Sequence, residues 1–231
     1  MTRFAVAAIA LMILFVFILS GSPAVAQSSS QKMQVFGGYS LLHADNGGLT
    51  ASALNSALRQ PAGTLGITSN YSGWNAEVQY SVNHWLGAVV DFAGHSGTAF
   101  PTSNLQLSQL PNANQYSILF GPQISSTRGK FTPFVHVLGG VDRQHIDAGS
   151  IPGVFGSSQF VTDWAPAVAV GGGLDYKVYP RFSVRLGQFD YYYAGHNLKE
   201  FYGSSFGPNL FPNLATKENN LRFSAGIVVR F

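Results

Sequence analysis

The chain has 231 residues, of which only 10% are charged and 13% are aromatic. A water-soluble domain usually carries about 25% charged residues, so this composition argues against an ordinary soluble protein. The formal net charge of +3 is too small to indicate a nucleic-acid-binding protein, and the absence of cysteine excludes disulfides and a lipid-modified cysteine.

The first 26 residues have the pattern of an export signal. Arg3 precedes an apolar run from Phe4 to Leu19, and Ala24 and Ala26 form a small-residue cleavage site. The run is shorter than the roughly 18 apolar residues expected of a membrane-spanning helix. We therefore predict a signal peptide over residues 1–26 and a separate mature domain over residues 27–231.

Eight segments of the remaining chain alternate apolar side chains with polar or small ones. This period of two is typical of β-strands that have different environments on their two faces. In the last segment one face is Leu221, Phe223, Ala225, Ile227, Val229 and Phe231. The length of each segment is close to that of a tilted strand that crosses a bilayer, about 9 to 11 residues. The predicted strands are residues 32–42, 73–82, 85–95, 115–125, 131–142, 163–177, 181–192 and 219–231.

The connections between these strands alternate between long and short. Residues 43–72, 96–114, 144–162 and 193–217 are long and rich in Gly, Ser, Asn and Pro, whereas tight turns lie near residues 83–84, 127–130 and 178–180. Outer-membrane barrels place short turns in the periplasm and long loops outside the cell. The pattern predicts an all-β fold, an eight-stranded antiparallel up-and-down transmembrane β-barrel with both ends in the periplasm. Residues 27–231 are thus predicted to form an outer-membrane β-barrel domain.

Aromatic residues gather near the ends of the predicted strands. An amphipathic ring at such a position can contact both lipid headgroups and hydrocarbon. A soluble lipocalin-type barrel would also alternate, but the aromatic ends and the unequal loops favour a membrane barrel. The predicted membrane-interface aromatics are Trp85, Phe131, Tyr176, Tyr191, Tyr192, Tyr193 and Phe231.

Similarity to a known family lies in the segments GGYSLLHADN, YSILFGPQIS, TPFVHVLGGV, VGGGLDYKVYPRFSVRLGQFDYYY and NNLRFSAGIVVRF. They resemble the OmpA-like transmembrane β-barrel family, in particular single-domain acidobacterial outer-membrane proteins. The resemblance implies a location in the cell outer membrane and contact with outer-membrane lipid. It also implies recognition of the last strand and its terminal Phe231 by the outer-membrane insertion machinery.

Charged side chains occur in the middle of several polar strand faces. An arginine that faced lipid at the bilayer midplane would cost about 2 to 4 kcal/mol, so these side chains are expected to face the lumen. Asp190 is out of phase with Arg185 and requires a β-bulge or a position at the rim. We expect Glu77 to pair with Arg185, with Asp91 or Asp175 as alternative partners. The predicted lumen charge network is Glu77, Asp91, His136, Asp142, Asp175, Arg185 and Arg222.

Two roles are open for this network: paired charges that plug a narrow tube, or a selectivity ring or proton path. We favour the plug, and with it a monomeric protein with a structural or surface-interaction role. Its long loops would contact an extracellular ligand of unknown identity. A small-solute pore is the alternative, and a lipid A-modifying enzyme is third. The sequence has no hydrolase, metalloprotease or phosphate-loop motif, so we expect no enzyme activity, metal or cofactor.

Overall fold

The computed structural model describes residues 32–45, 52, 55–56, 69–98, 112–149, 159–197 and 218–231. The predicted signal peptide and most of the four long connections lie outside these residues. The described strands are β1 (Met33–His43), β2 (Asn70–Ser81), β3 (Leu86–Thr98), β4 (Asn112–Ser125), β5 (Phe131–Gly149), β6 (Gln159–Lys177), β7 (Phe182–Ala194) and β8 (Glu218–Arg230).

The eight strands form one closed barrel in chain order. Each strand pairs antiparallel with the next, and β1 also pairs antiparallel with β8, with Val35 opposite Val229. Closure satisfies the backbone hydrogen bonds of both strands that would otherwise be edges. The predicted up-and-down barrel is confirmed. Within the described ranges, no helix is long and apolar enough to cross a membrane.

The barrel has apolar side chains on its outer face and polar or charged side chains on its inner face, the reverse of a soluble protein. On β2, Trp74 is 49% exposed on the outer face, whereas Glu77 is 2% exposed on the inner face. The same alternation holds on β8, where Ile227 is exposed and Arg222 is buried. An apolar exterior and a charged interior are stable only where the surroundings are hydrocarbon, so the barrel wall is a lipid-facing surface.

Three tight turns lie at one end of the barrel, which we call the turn end; the opposite end is the loop end. Arg128 and Phe131 bond through both backbone groups, and Gly129 between them has a φ of 61°. This left-handed conformation favours glycine. In the turn between β2 and β3, the Asn83 side chain accepts hydrogen bonds from the backbone N–H groups of Trp85 and Leu86. These turns match the predicted positions.

Strands β5 and β6 extend further at the loop end than the sequence predicts. Their ladder runs to Gly149 paired with Gln159, whereas the predicted strands end at residue 142 and begin at residue 163. Beyond the bilayer no lipid imposes an apolar outer face, so alternation weakens there while backbone pairing continues. The apolar pattern therefore marks the membrane-crossing part of the hairpin and not its full length.

Strand β7 contains a bulge in its middle. Its register with β8 shifts between Arg185 and Gln188, and its register with β6 shifts between Leu174 and Asp175. The extra residue allows Arg185 and Gln188 both to lie on the inner face. Asp190 and Tyr192 follow Gln188 in phase and also face inward. The bulge thus supplies the change of phase that Asp190 requires.

Adjacent glycines on β5 provide a test of the close strand packing. A Cβ at Gly140 would lie 2.1 Å from the backbone oxygen of Ile118, whereas a Cβ at Gly139 would meet nothing within 4 Å. We expect Gly140→Ala to lower the urea midpoint of unfolding markedly, because a backbone contact cannot move aside, and Gly139→Ala to leave it nearly unchanged. Equal midpoints for the two variants would contradict this packing.

Candidate functional site

The first group of charged side chains in the lumen is centred on Arg185. Its Nη1 donates to Glu77 Oε2 at 2.6 Å, and its Nε donates to Asp175 Oδ1 at 3.0 Å. Nη1 also donates to the Gln188 side-chain oxygen. Because Glu77 lies on β2 and Arg185 on β7, the first of these bonds crosses the lumen. We call Arg185, Glu77, Asp175 and Gln188 the Arg185 cluster.

Two aromatic rings enclose the Arg185 guanidinium. Its carbon lies 4.1 Å from the ring centroid of Phe36 and 4.4 Å from that of Phe134. Both rings are buried on the inner face of the barrel. Cation–π contacts of this kind are strongest where water is excluded. The rings therefore support the cation while filling the lumen around it.

A second group of charged side chains is centred on Arg222. Its Nη1 lies 2.8 Å from Asp91 Oδ1, and its Nη2 lies 2.8 Å from Asp190 Oδ2. The other oxygen of Asp190 lies 2.8 Å from His136 Nε2, and Asn75 donates to Asp91 at 2.6 Å. We call these five residues the Arg222 cluster. A hydrogen bond of 2.9 Å from Gln188 to Asp190 joins it to the Arg185 cluster.

A third group lies nearer the loop end, around Asp142. Tyr192 and Gln115 both donate to Asp142 Oδ2. His196, which follows β7, places Nδ1 2.8 Å from Asp163 and Nε2 3.9 Å from Asp142 Oδ1. Burial opposes its charge, but the carboxylates of Asp142 and Asp163 outweigh burial and raise the pKa of His196 to about 9. We call these five residues the Asp142 cluster.

All seven residues of the predicted lumen network are buried on the inner face. The structure brings six of them into the first two clusters and places Asp142 in the third. Glu77 and Asp175 share Arg185, while Asp91 contacts Arg222. Asp190 is a full member of the Arg222 cluster. The sequence did not predict the roles of four further residues: His196, Gln188, Asn75 and Gln115. For Asn75 and Gln115, the alternation along their strands could have indicated that they face the lumen.

One predicted interface aromatic is wrong. Tyr192 is 2% exposed and donates its hydroxyl to Asp142 inside the lumen, because it follows the β7 bulge on the inner face. Its neighbours Tyr191 and Tyr193 have the opposite phase and lie on the outer face near the loop end. The remaining predicted aromatics lie at the turn end, where three are clearly exposed and Tyr176 is partly so: Trp85, Phe131, Tyr176 and Phe231.

Inside the barrel, a space lined by Leu42, His95, Gln115, Ser117, Tyr192 and Arg222 is too narrow to hold a water molecule. Small-molecule sites are typically about 300 to 1,000 Å³ and therefore far larger. His95 Nε2 lies 2.9 Å from Ser40 Oγ nearby, but both residues are buried. The described residues include no group of three or more His, Asp or Glu side chains arranged to hold a metal ion.

A closed antiparallel barrel with an apolar exterior, tight turns at one end and a charged interior is an outer-membrane β-barrel. The chain is similar to the attachment invasion locus protein Ail of Yersinia pestis, solved with the heparin analogue sucrose octasulfate, at 17% identity and a TM-score of 0.52 over 87% of this chain and 99% of Ail. It is also similar to Neisserial surface protein A, at 18% identity and a TM-score of 0.51 over 86% of this chain and 97% of that protein.

At these identities, the similarities show a shared fold only. No protein-family model matches the chain. No curated protein matches it either.

Proposed function

We propose that the protein is a structural or surface-interaction protein of the outer membrane, with a plugged lumen and an exposed loop end. The observation that carries this proposal is the chain of ion pairs across the lumen. Arg185 joins β7 to β2 and β6, and Arg222 joins β8 to β3 and β7. The clusters occupy the cross-section that a solute would need. A pore would require both to open, which would leave buried charges without partners.

The loop sequences indicate the kind of partner. Residues 99–111 and 150–158 contain no charged residue, and residues 46–68 contain only Arg59. Residues 198–217 contain the charged residues Lys199, Glu200 and Lys217 and four aromatics, Phe201, Tyr202, Phe206 and Phe211. Polyanions are usually bound by clustered arginine and lysine. Few cations and many aromatic and aliphatic residues favour an uncharged partner, such as an apolar protein surface or a neutral glycan.

External protease on intact cells tests the proposed exposure. We expect cleavage only within long connections, for example in residues 49–63 or 201–214, because the strands are embedded and the turns face the periplasm. The fragments are read by mass spectrometry. Cells with a permeabilised outer membrane provide the control, in which the turns become accessible. Cleavage at Asn83–His84 or Arg128–Gly129 in sealed cells would reverse the proposed orientation.

Sucrose octasulfate tests the proposed neutrality of the partner surface. Ail was solved with this polyanion, but the loops of this chain carry few cations. We expect no salt-sensitive shift of the melting temperature when the compound is added to the folded barrel in detergent. A stabilisation that disappears as salt is added would contradict an uncharged partner, because screening weakens only the electrostatic part of binding.

The other two roles have less support. The interior space lined by His95, Tyr192 and Arg222 is too narrow for a water molecule and does not favour a solute pore. Among the described residues, Ser40 and His95 make a Ser–His contact of the kind that hydrolases use, but the burial of this pair inside the barrel does not favour action on a lipid. Mass analysis of lipid A from cells with and without the protein is the direct check of the enzyme role.

A further inference from the structure

The exposed charged side chains at the turn end that the structure describes are all positive. The turn residues 82–85, 126–130 and 178–181 contain Arg128, Lys130 and Arg181 but no acidic residue. Lys32 and Lys177 lie at the same end, and all five cations are exposed. Of the acidic residues that the structure describes, the one nearest this end is Asp175, which is buried in the lumen with Arg185. We call Lys32, Arg128, Lys130, Lys177 and Arg181 the basic collar.

The collar is continuous around most of the turn end. The backbone N–H of Lys177 donates to the carbonyl of Lys130 at 2.7 Å, and that of Arg230 donates to the carbonyl of Arg181 at 2.8 Å. Arg230 in turn pairs in register with Gln34 on β1, beyond which Lys32 lies. The five cations therefore follow the rim from β4 through β8 to β1. Arg230 itself bonds Ser183 and lies 3.8 Å from Asp175, so it belongs to the lumen.

We expect the collar to lie at the depth of the lipid headgroups, because aromatic residues flank it. Lys130 precedes the exposed Phe131, Lys177 follows Tyr176, and Arg181 precedes the exposed Phe182. The Lys130 ammonium lies 5.9 Å from the centroid of the Tyr176 ring. Aromatic rings at strand ends occupy the boundary between hydrocarbon and headgroups. Long cationic side chains beside them extend to the level of the lipid phosphates.

We propose that the basic collar binds anionic phospholipid headgroups in the leaflet at the turn end. A phosphate diester can accept hydrogen bonds from the collar arginines and lysines. A headgroup without an amine carries no positive charge that the collar would repel. Several exposed cationic side chains at one end of the barrel attract such lipids additively. The periplasmic assignment of the leaflet rests on the proposed orientation, but the lipid preference of the turn end does not.

The native tryptophans allow the lipid at each end to be measured separately. The chain has three tryptophans: Trp74, Trp85 and Trp164. Trp85 lies at the turn end, where its carbonyl accepts from Ser125 at 2.8 Å. The variant W74F/W164F leaves Trp85 as the reporter, and W74F/W85F leaves Trp164 at the loop end. Each variant is folded into phosphatidylcholine vesicles, and quenching by brominated phosphatidylglycerol is compared with quenching by brominated phosphatidylcholine.

At low ionic strength we expect Trp85 to show at least about a threefold preference for phosphatidylglycerol, and Trp164, which has the single cation Arg143 beside it, to show a markedly smaller one. The preference should fall as salt is added. It should fall further in K130Q/K177Q/R181Q, which keeps a polar side chain at each position while removing its charge. If that variant does not fold, the salt series on the parent protein decides the matter. Equal quenching of Trp85 by the two lipids, or a preference insensitive to salt, would overturn the proposal.

A cell-wall polymer is the other anionic surface near the turn end. Its contribution is measured by sedimenting the folded protein in detergent with purified sacculi. Sacculus binding that depends on Lys130, Lys177 and Arg181, combined with no lipid preference at Trp85, would assign the collar to the wall and reject the lipid proposal. A preference at Trp85 without sacculus binding would support it.

Discussion

Replacement of Arg185 by methionine is expected to lower the free energy of unfolding in detergent by about 3 to 5 kcal/mol. The substitution preserves much of the side-chain volume between Phe36 and Phe134 but removes the cation shared by Glu77 and Asp175. Two buried carboxylates would then lack their main partner. Arg143→Met is the matched control, because Arg143 lies on the outer face over Trp164 and its loss should cost less than about 1 kcal/mol.

The pairing itself is tested by a double-mutant cycle. Glu77→Gln alone leaves Asp175 to balance Arg185, so its cost should be smaller than that of Arg185→Met. Combined with Arg185→Met, Glu77→Gln removes one of the two unbalanced carboxylates and should recover part of the loss, with a coupling of at least about 1 kcal/mol. Equilibrium unfolding in urea provides all four free energies. Strictly additive losses would show that the ion pair across the lumen contributes no coupling.

An arginine on the lipid-facing wall should also destabilise the barrel strongly. Phe120 is 67% exposed in the middle of β4, opposite Val90 on β3 and Gly139 on β5. Phe120→Arg is expected to lower the free energy of unfolding from phospholipid vesicles by about 2 to 4 kcal/mol, because it places a charge near the bilayer midplane.

The control for this substitution is Asn114→Arg, on the same face of the same strand but near the loop end. There the cost should be no more than about 1 kcal/mol, since the side chain can reach water. Folding of both variants into detergent micelles separates the lipid effect from lost packing of the phenylalanine. Equal costs at the two positions would contradict the assignment of the wall to lipid.

Much of the fold could be predicted because a barrel strand has two sharply different faces. Along β2 and β8, successive side chains point alternately outward and into the lumen. A few residues, such as Trp74 and Glu77, are therefore enough to show which face of the strand is which. The turns at Gly129 and Asn83 could also be predicted, because their backbone conformations depend only on residues next to them in sequence. The inward direction of Arg185 and Arg222 follows from the cost of a charge in lipid.

The other features of the fold and the site depend on interactions that the alternation of side chains does not reveal. The bulge at Leu186 and Gly187 reverses the phase of β7, and the run of three tyrosines 191–193 could not show which ring faces inward. Tyr192 was therefore placed on the wrong face. The partners of each arginine were also open, because side chains of this length reach strands that are distant in sequence. The extent of β5 and β6 beyond the bilayer is set by backbone pairing, which alternation does not report.

Single-channel recording in planar bilayers is the most direct test of whether the charged clusters close the lumen. Protease protection of the reconstituted strands first verifies insertion, so that silence cannot result from empty membranes. With Arg185 and Arg222 paired as observed, we expect no sustained conductance above the bare bilayer across the voltage range that the bilayer tolerates. Steady ohmic current steps from the unmodified protein would contradict a plugged barrel and would favour a small-solute pore.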